Sequence, residues 1–183
     1  FFKTKDLMTV GNIGGGIASA LVAMEGMTAT STAEAATYVF WSGFFLMVSY
    51  VFDAFDGVVA RALKQVNQFG AEFDNVADLV SWSVAPSFLL YLAYSRMVVL
   101  PGISDYVLDL PFLATPVEAQ ILIAILVSMP LAIFGSIRFA RFNIRKLDLN
   151  GVWIGFPRPA GALLLMALVN SHLFASSPTV QWL

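Results

Sequence analysis

The chain has 183 residues, of which 58% are hydrophobic and 12% charged, about half the charge of an ordinary soluble domain. That balance argues against a water-soluble fold, and no nucleic-acid partner is expected; the formal net charge of −2 says little, because what matters is where the charges sit. With no cysteines, disulfides and thiolate metal sites are excluded.

Apolar runs of about 20 residues can cross a bilayer as helices. Five are read in chain order, over residues 7–24, 36–63, 71–94, 117–139 and 160–174. The first carries Gly14, Gly15, Gly16, Ala18, Ser19 and Ala20, small residues that suit close helix packing in lipid. A nucleotide-binding reading of the glycine run lacks the strand that should precede it. The last turns of the second run are expected to protrude from the membrane. The expected fold is an all-α integral membrane bundle, one domain over residues 1–183, with no internal repeat.

The basic residues orient the bundle. Lys3 and Lys5 precede the first run, and Arg61 and Lys64 lie between the second and third. Arg138, Arg141, Arg145, Lys146 and Arg158 lie between the fourth and fifth. Of the ten basic residues only Arg96 falls on the opposite side, so the shared face is expected to be cytoplasmic. Loops 25–34 and 98–115 then face outward, and an odd number of crossings leaves Leu183 outside. No signal peptide is read at the start, which lacks an initiator methionine.

Ionisable groups within membrane spans are expensive and are functional candidates by default. Five of the twelve acidic residues fall in the second and third runs: Asp53, Asp56, Glu72, Asp74 and Asp78. Helix positions three and four apart share a face. Asp53, Asp56, Gly57, Ala60 and Arg61 therefore form one stripe, and Gly70, Asp74 and Asp78 another. At 1.5 Å per residue Asp53 lies about 26 Å in from the outer side, and Asp74 and Asp78 about 6–12 Å in from the inner side. All four carboxylates thus reach one layer.

Four carboxylates at close quarters require compensation. Hard divalent cations with oxygen ligands supply it, Mg²⁺ taking carboxylates together with substrate phosphates. A pair of ions suits in-line displacement at phosphorus. Gly57, Ala60 and Gly70 leave room for an anionic ligand near the backbone, and Arg61 adds a fixed charge for phosphate. The plainer alternative pairs the aspartates with Arg61 and Lys64 at a wet helix end. Four acids in register with small residues argue against it. Glu72 is off these stripes and is expected to face another helix or the headgroups. His172 receives no role. Trp41, Trp82, Trp153 and Trp182 suit interfacial belts, with a place near the acceptor as the alternative for Trp82.

The pattern Asp53-x2-Asp56-Gly57-x2-Ala60-Arg61-x8-Gly70-x3-Asp74-x3-Asp78 resembles, without substitution, the signature of the CDP-alcohol phosphotransferase family. The resemblance implies a helical membrane enzyme with six core spans, an active site open to the cytoplasm and a homodimeric assembly. It further implies that Asp53, Asp56 and Asp74 are metal ligands for Mg²⁺ or Mn²⁺, two ions being expected. Asp78 would touch metal and act as general base. Asp56, Gly57, Ala60, Arg61 and Gly70 would border the CDP-lipid, as would Asn12, which resembles the asparagine that family members place beside the nucleotide. Asn67, which stands where threonine or serine is common, would keep a polar contact with the CDP-lipid in an altered geometry. A sixth span is not evident before Leu183.

Within the family, residues 80–86 (Val-Ser-Trp-Ser-Val-Ala-Pro), 138–143 (Arg-Phe-Ala-Arg-Phe-Asn) and 155–162 (Gly-Phe-Pro-Arg-Pro-Ala-Gly-Ala) are similar to runs of phosphatidylserine synthases. Trp82 and Ser83 depart from a Phe-Gly pair there, and Arg158 stands where an apolar residue is usual. The resemblance implies transfer of a phosphatidyl-type group from a CDP-diacylglycerol-like lipid to serine in the cell membrane. Arg138, Arg141 and Asn143 are the candidate acceptor contacts, the two arginines suiting a carboxylate. They would serve inositol phosphate or glycerol phosphate equally, and interfacial arginines also simply set topology. From a different class, an ion-coupled transporter also uses intramembrane carboxylates. Its site is expected nearer the midplane, on broken helices in repeated halves.

Overall fold

The computed structural model describes residues 6–63, 68–98, 106–108, 117–144 and 158–171. Helix α1 (Asp6–Gly26) is inverted relative to a soluble amphipathic helix. Its buried face is Asp6, Thr9, Asn12, Gly15, Gly16, Ser19, Ala23 and Gly26, spaced three or four apart apart from the adjacent Gly15–Gly16 pair. Leu7, Val10, Ile17, Leu21 and Met24 point outward. In lipid the tails solvate large apolar side chains, so small and polar residues gather where helices touch.

Helix α2 (Thr32–Leu63) opens with a local cap. The Ser31 hydroxyl accepts from the Glu34 backbone N–H at 3.2 Å, and the Glu34 carboxylate accepts from the Thr30 N–H at 2.9 Å. These bonds satisfy donors that a helix start leaves open. α1 packs most extensively on α2. A Cβ on Gly15 would lie 2.9 Å from the Ser49 backbone, and one on Gly16 would lie 2.8 Å from the Ser81 Cα. Gly14 meets nothing within 4 Å. Two of the three consecutive glycines therefore let backbones approach. Ser19 and Ser42 hydrogen-bond across the same seam at 2.9 Å.

The third crossing has two α-helical halves, α3 (Gln68–Leu79) and α4 (Ala85–Arg96), joined by a π-helical turn over Val80–Val84. The apolar run alone predicts an unbroken helix here. Pro86 explains the difference. It cannot donate to the carbonyl four residues back, and its ring crowds that carbonyl. The turn before it widens, and Ala85 donates to the Val80 carbonyl, five residues back. This crossing is the centre of the bundle: Ala85, Leu89, Leu92 and Ala93 are fully buried and pack with Ala23, Val39, Leu46 and Val169.

Strand β1 (Val107–Leu108) pairs antiparallel with β2 (Val117–Glu118), so residues 117–118, expected to begin the fourth helix, form a strand instead. Helix α5 (Ala119–Ile144) follows directly. Gln120 at its start donates to the carbonyls of Tyr94, Ser95 and Val98, the last at 2.6 Å, and so closes the C-terminal end of α4. Helix α6 (Arg158–Val169) docks near Gly43 of α2 through Met166 and Asn170.

Among the described residues, four helical lengths are long and apolar enough to cross a membrane: Asp6–Gly26, Thr32–Val59, Gln68–Arg96 and Ala119–Arg141. Pro159–Val169 is apolar but shorter, and the rest of the fifth run beyond Ser171 lies outside the described residues. The chain is a multi-pass, all-α membrane protein.

Candidate functional site

Helical periodicity places the acidic stripes of α2 and α3 against each other. Asp53, Asp74 and Asp78, all half-buried, each offer a carboxylate oxygen within 4.8 Å of the others. Ligand oxygens around Mg²⁺ at 2.0–2.1 Å stand about 3–4.2 Å apart. Side-chain adjustment would draw this triangle in around a hard divalent cation. The donors are all oxygen and all anionic, which fits such an ion and not a soft one. Asp56, one turn beyond Asp53, is 7% exposed and stands within electrostatic reach of it. It lies outside the triangle and accepts a hydrogen bond from the Thr9 hydroxyl of α1.

Helix α1 supplies the polar frame. The Asn12 amide nitrogen donates to Asp53 Oδ1 and Asp78 Oδ1, both at 3.3 Å, bridging α2 and α3. A carboxylate can only accept, so the amide must turn its nitrogen this way. Ser49 fixes that orientation from the other side, its hydroxyl lying 2.6 Å from Asn12 Oδ1 and 2.8 Å from the Asn12 carbonyl. Ser81 donates to the same carbonyl at 3.1 Å. The close approach at Gly15 and Gly16 brings these serines into range.

Trp82 is 3% exposed and does not belong to an interfacial belt. Its indole N–H donates to Asp78 Oδ1 at 3.1 Å, and its ring meets Tyr50 edge-on, with centroids 6.2 Å apart. Thr9, Ser49 and Ser81 were not singled out in the sequence. The available signal was the three-residue spacing of Thr9 and Asn12, which puts both on one face of α1.

Of the other expected site residues, Gly70 is buried at the start of α3 and Gly57 is exposed on α2. Arg138 and Arg141 lie exposed on the last turns of α5. Glu72 is exposed, as expected of a residue off the acidic stripes. The side chains of Ala60, Arg61 and Asn143, and all of Asn67 and His172, lie outside the described residues.

Two carboxylate-bearing helices crossed by a third that hydrogen-bonds the acids define a membrane-embedded polyanionic site. The chain belongs to the CDP-alcohol phosphatidyltransferase family, which matches residues 4–183. It is 35% identical over 134 residues to the CDP-diacylglycerol–serine O-phosphatidyltransferase of Methanocaldococcus jannaschii, covering 72% of this chain and 53% of that protein. It is 34% identical over 150 residues to the protein of the same description from Helicobacter pylori J99, covering 79% and 54%. With that of Bacillus subtilis it shares 32% identity over 162 residues, covering 88% and 72%. The chain thus spans about half the length of the first two relatives and nearly three quarters of the third.

Proposed function

We propose that this protein transfers a phosphatidyl-type group from a CDP-diacylglycerol-like lipid to the hydroxyl of L-serine, releasing CMP. The observation that carries the reading is the convergence of Asp53, Asp74 and Asp78 within 4.8 Å at the positions of the family signature. The description shared by the three relatives favours serine as the acceptor.

In this reading Asp53, Asp56, Asp74 and Asp78 hold two divalent ions, Mg²⁺ or Mn²⁺. Such ions, when bound, neutralise the pyrophosphate and the charge that develops on the leaving CMP. Asn12, Asp56, Gly57, Ala60, Arg61, Asn67 and Gly70 border the CDP moiety, and the acyl or alkyl tails stay in the bilayer. Asp78 accepts the proton of the serine hydroxyl, as a positioned base within hydrogen-bond reach does. The serine oxygen forms a bond to the lipid-side phosphorus as the bond to the CMP oxygen breaks, with Arg61 stabilising the transferred charge. Arg138, Arg141 and Asn143 take the serine carboxylate. The protein acts as one domain over residues 1–183, as a homodimer in the cell membrane, with the site open to the cytoplasm.

The deciding experiment measures CMP release from CDP-diacylglycerol in detergent with serine, inositol phosphate or glycerol phosphate as acceptor. Serine-dependent release that Asp78→Asn abolishes is expected. Release with only a phosphorylated acceptor would overturn the serine assignment. No release with any acceptor would overturn the enzyme reading.

A further inference from the structure

Every side of the turn that carries Trp82 is fastened. On one flank Ser81 donates to the Asn12 carbonyl of α1 at 3.1 Å. On the other flank the Ser83 side chain sits against Gly135 of α5, where a Cβ would overlap it. The indole ring itself packs edge-on to Tyr50 of α2 at an interplanar angle of 77°. Three helices thus fix one buried indole, and its N–H ends on Asp78 Oδ1.

The placement depends on the π turn. Trp82 lies four positions after Asp78, within the widened segment Val80–Val84. π turns of this kind recur where a helix must re-aim a side chain. A buried indole N–H needs an acceptor, and here it shares its acceptor with Asn12. Two donors converging on one oxygen fix the rotation of the Asp78 carboxylate.

We propose that Trp82 is a positioning residue for Asp78: its indole N–H holds the carboxylate in the orientation in which it meets metal and acceptor. The proposal rests on the reading of Asp78 as a carboxylate of the active site. A purely structural tryptophan would need only its ring, which phenylalanine largely replaces. A positioning tryptophan needs the N–H.

The test compares wild type, Trp82→Phe and Asp78→Asn, purified in detergent and checked for a single oligomeric species and a cooperative unfolding transition. Mn²⁺ binding is read directly by electron paramagnetic resonance, and kcat and KM for serine by CMP release. Outer-shell partners of metal ligands typically contribute 10- to 100-fold, so Trp82→Phe is expected to weaken Mn²⁺ binding and lower kcat by about 10-fold. The KM for serine should be unchanged. Wild-type Mn²⁺ affinity and kcat in a folded Trp82→Phe protein would overturn the proposal. Should Asp78→Asn itself keep wild-type Mn²⁺ binding and turnover, the reading of the site fails instead.

A second measurement leaves Trp82 in place, so it does not depend on the folding of Trp82→Phe. In a protein with Trp41, Trp153 and Trp182 changed to phenylalanine, Mg²⁺ should shift the emission of Trp82. Adding Asp78→Asn should remove the shift. An emission indifferent to Mg²⁺ counts against the proposal.

Discussion

Thr9 on α1 donates its hydroxyl to Asp56 on α2, 47 positions further along the chain. Both residues are buried, so the bond joins two helices within the bundle and holds a carboxylate that lies next to the acidic triangle but outside it. A hydrogen bond to a charged group contributes about 1.5–3 kcal/mol, and removing its donor leaves the acceptor's desolvation uncompensated. Thr9→Val keeps the shape and loses the hydroxyl. It should lower the thermal unfolding midpoint and reduce serine-dependent CMP release by about an order of magnitude, in proportion to that energy. Thr9→Ser should restore most of both. Equal behaviour of the valine and serine variants would show that the hydroxyl is not what matters.

Metal dependence follows from the oxygen triangle of Asp53, Asp74 and Asp78. Three anionic donors within 4.8 Å repel one another unless a cation or protons intervene. Chelation by EDTA should abolish CMP release, and Mg²⁺ or Mn²⁺ added back should restore it. Asp74→Asn should raise the Mn²⁺ concentration needed for half-maximal rate. Full turnover in excess chelator would remove metal from the reaction.

The glycine run offers a contrast within three residues. Gly15→Ala places a methyl 2.9 Å from the Ser49 backbone, and backbone cannot step aside cheaply in a packed seam. α1 and α2 must separate, which stretches the Ser49 bonds that orient Asn12. Gly14→Ala meets open space and should be silent. The measurement is the unfolding midpoint together with Mn²⁺ affinity: Gly15→Ala should lower both, Gly14→Ala neither. Similar losses in the two variants would mean that glycine serves the helix for reasons other than this contact.

The acidic stripes were legible because helical periodicity is local. Asp53 with Asp56, and Asp74 with Asp78, share faces whatever the tertiary fold, and the length of each apolar run set the depth at which they meet. What the acids touch was less legible. Nothing local to Thr9 indicates a partner 47 positions away. Trp82 suits an interfacial belt by its residue type as its three counterparts do, and its place in the run 80–86 hints only at the acceptor, not at Asp78. The distinguishing feature was Pro86, four positions on, whose missing donor widens the turn that aims the indole. Residues 117–118 adjoin the apolar run of the fourth helix and stand at its expected start. Their pairing with Val107–Leu108 is a non-local event that no run length encodes.

Asn12 provides the sharpest test of sign. Its nitrogen donates to Asp53 and Asp78 while its oxygen accepts from Ser49, so the amide is the one neutral group of its size that satisfies both sides. Asn12→Ala removes two donors and leaves the carboxylates to relax. Asn12→Asp has nearly the same shape but sets a further carboxylate against two others at hydrogen-bond distance. Simple loss of contact predicts that alanine, the larger truncation, is the worse change. Electrostatics predicts the opposite, because like charges at this range inside a bundle are weakly screened. The aspartate variant should therefore be the less stable of the two without metal, and Mn²⁺ should recover more of its unfolding midpoint than it does for alanine, since an added anion strengthens cation binding. If instead Asn12→Ala is the less stable protein and Mn²⁺ shifts both variants equally, the amide is packing against the acids and not organising their charge.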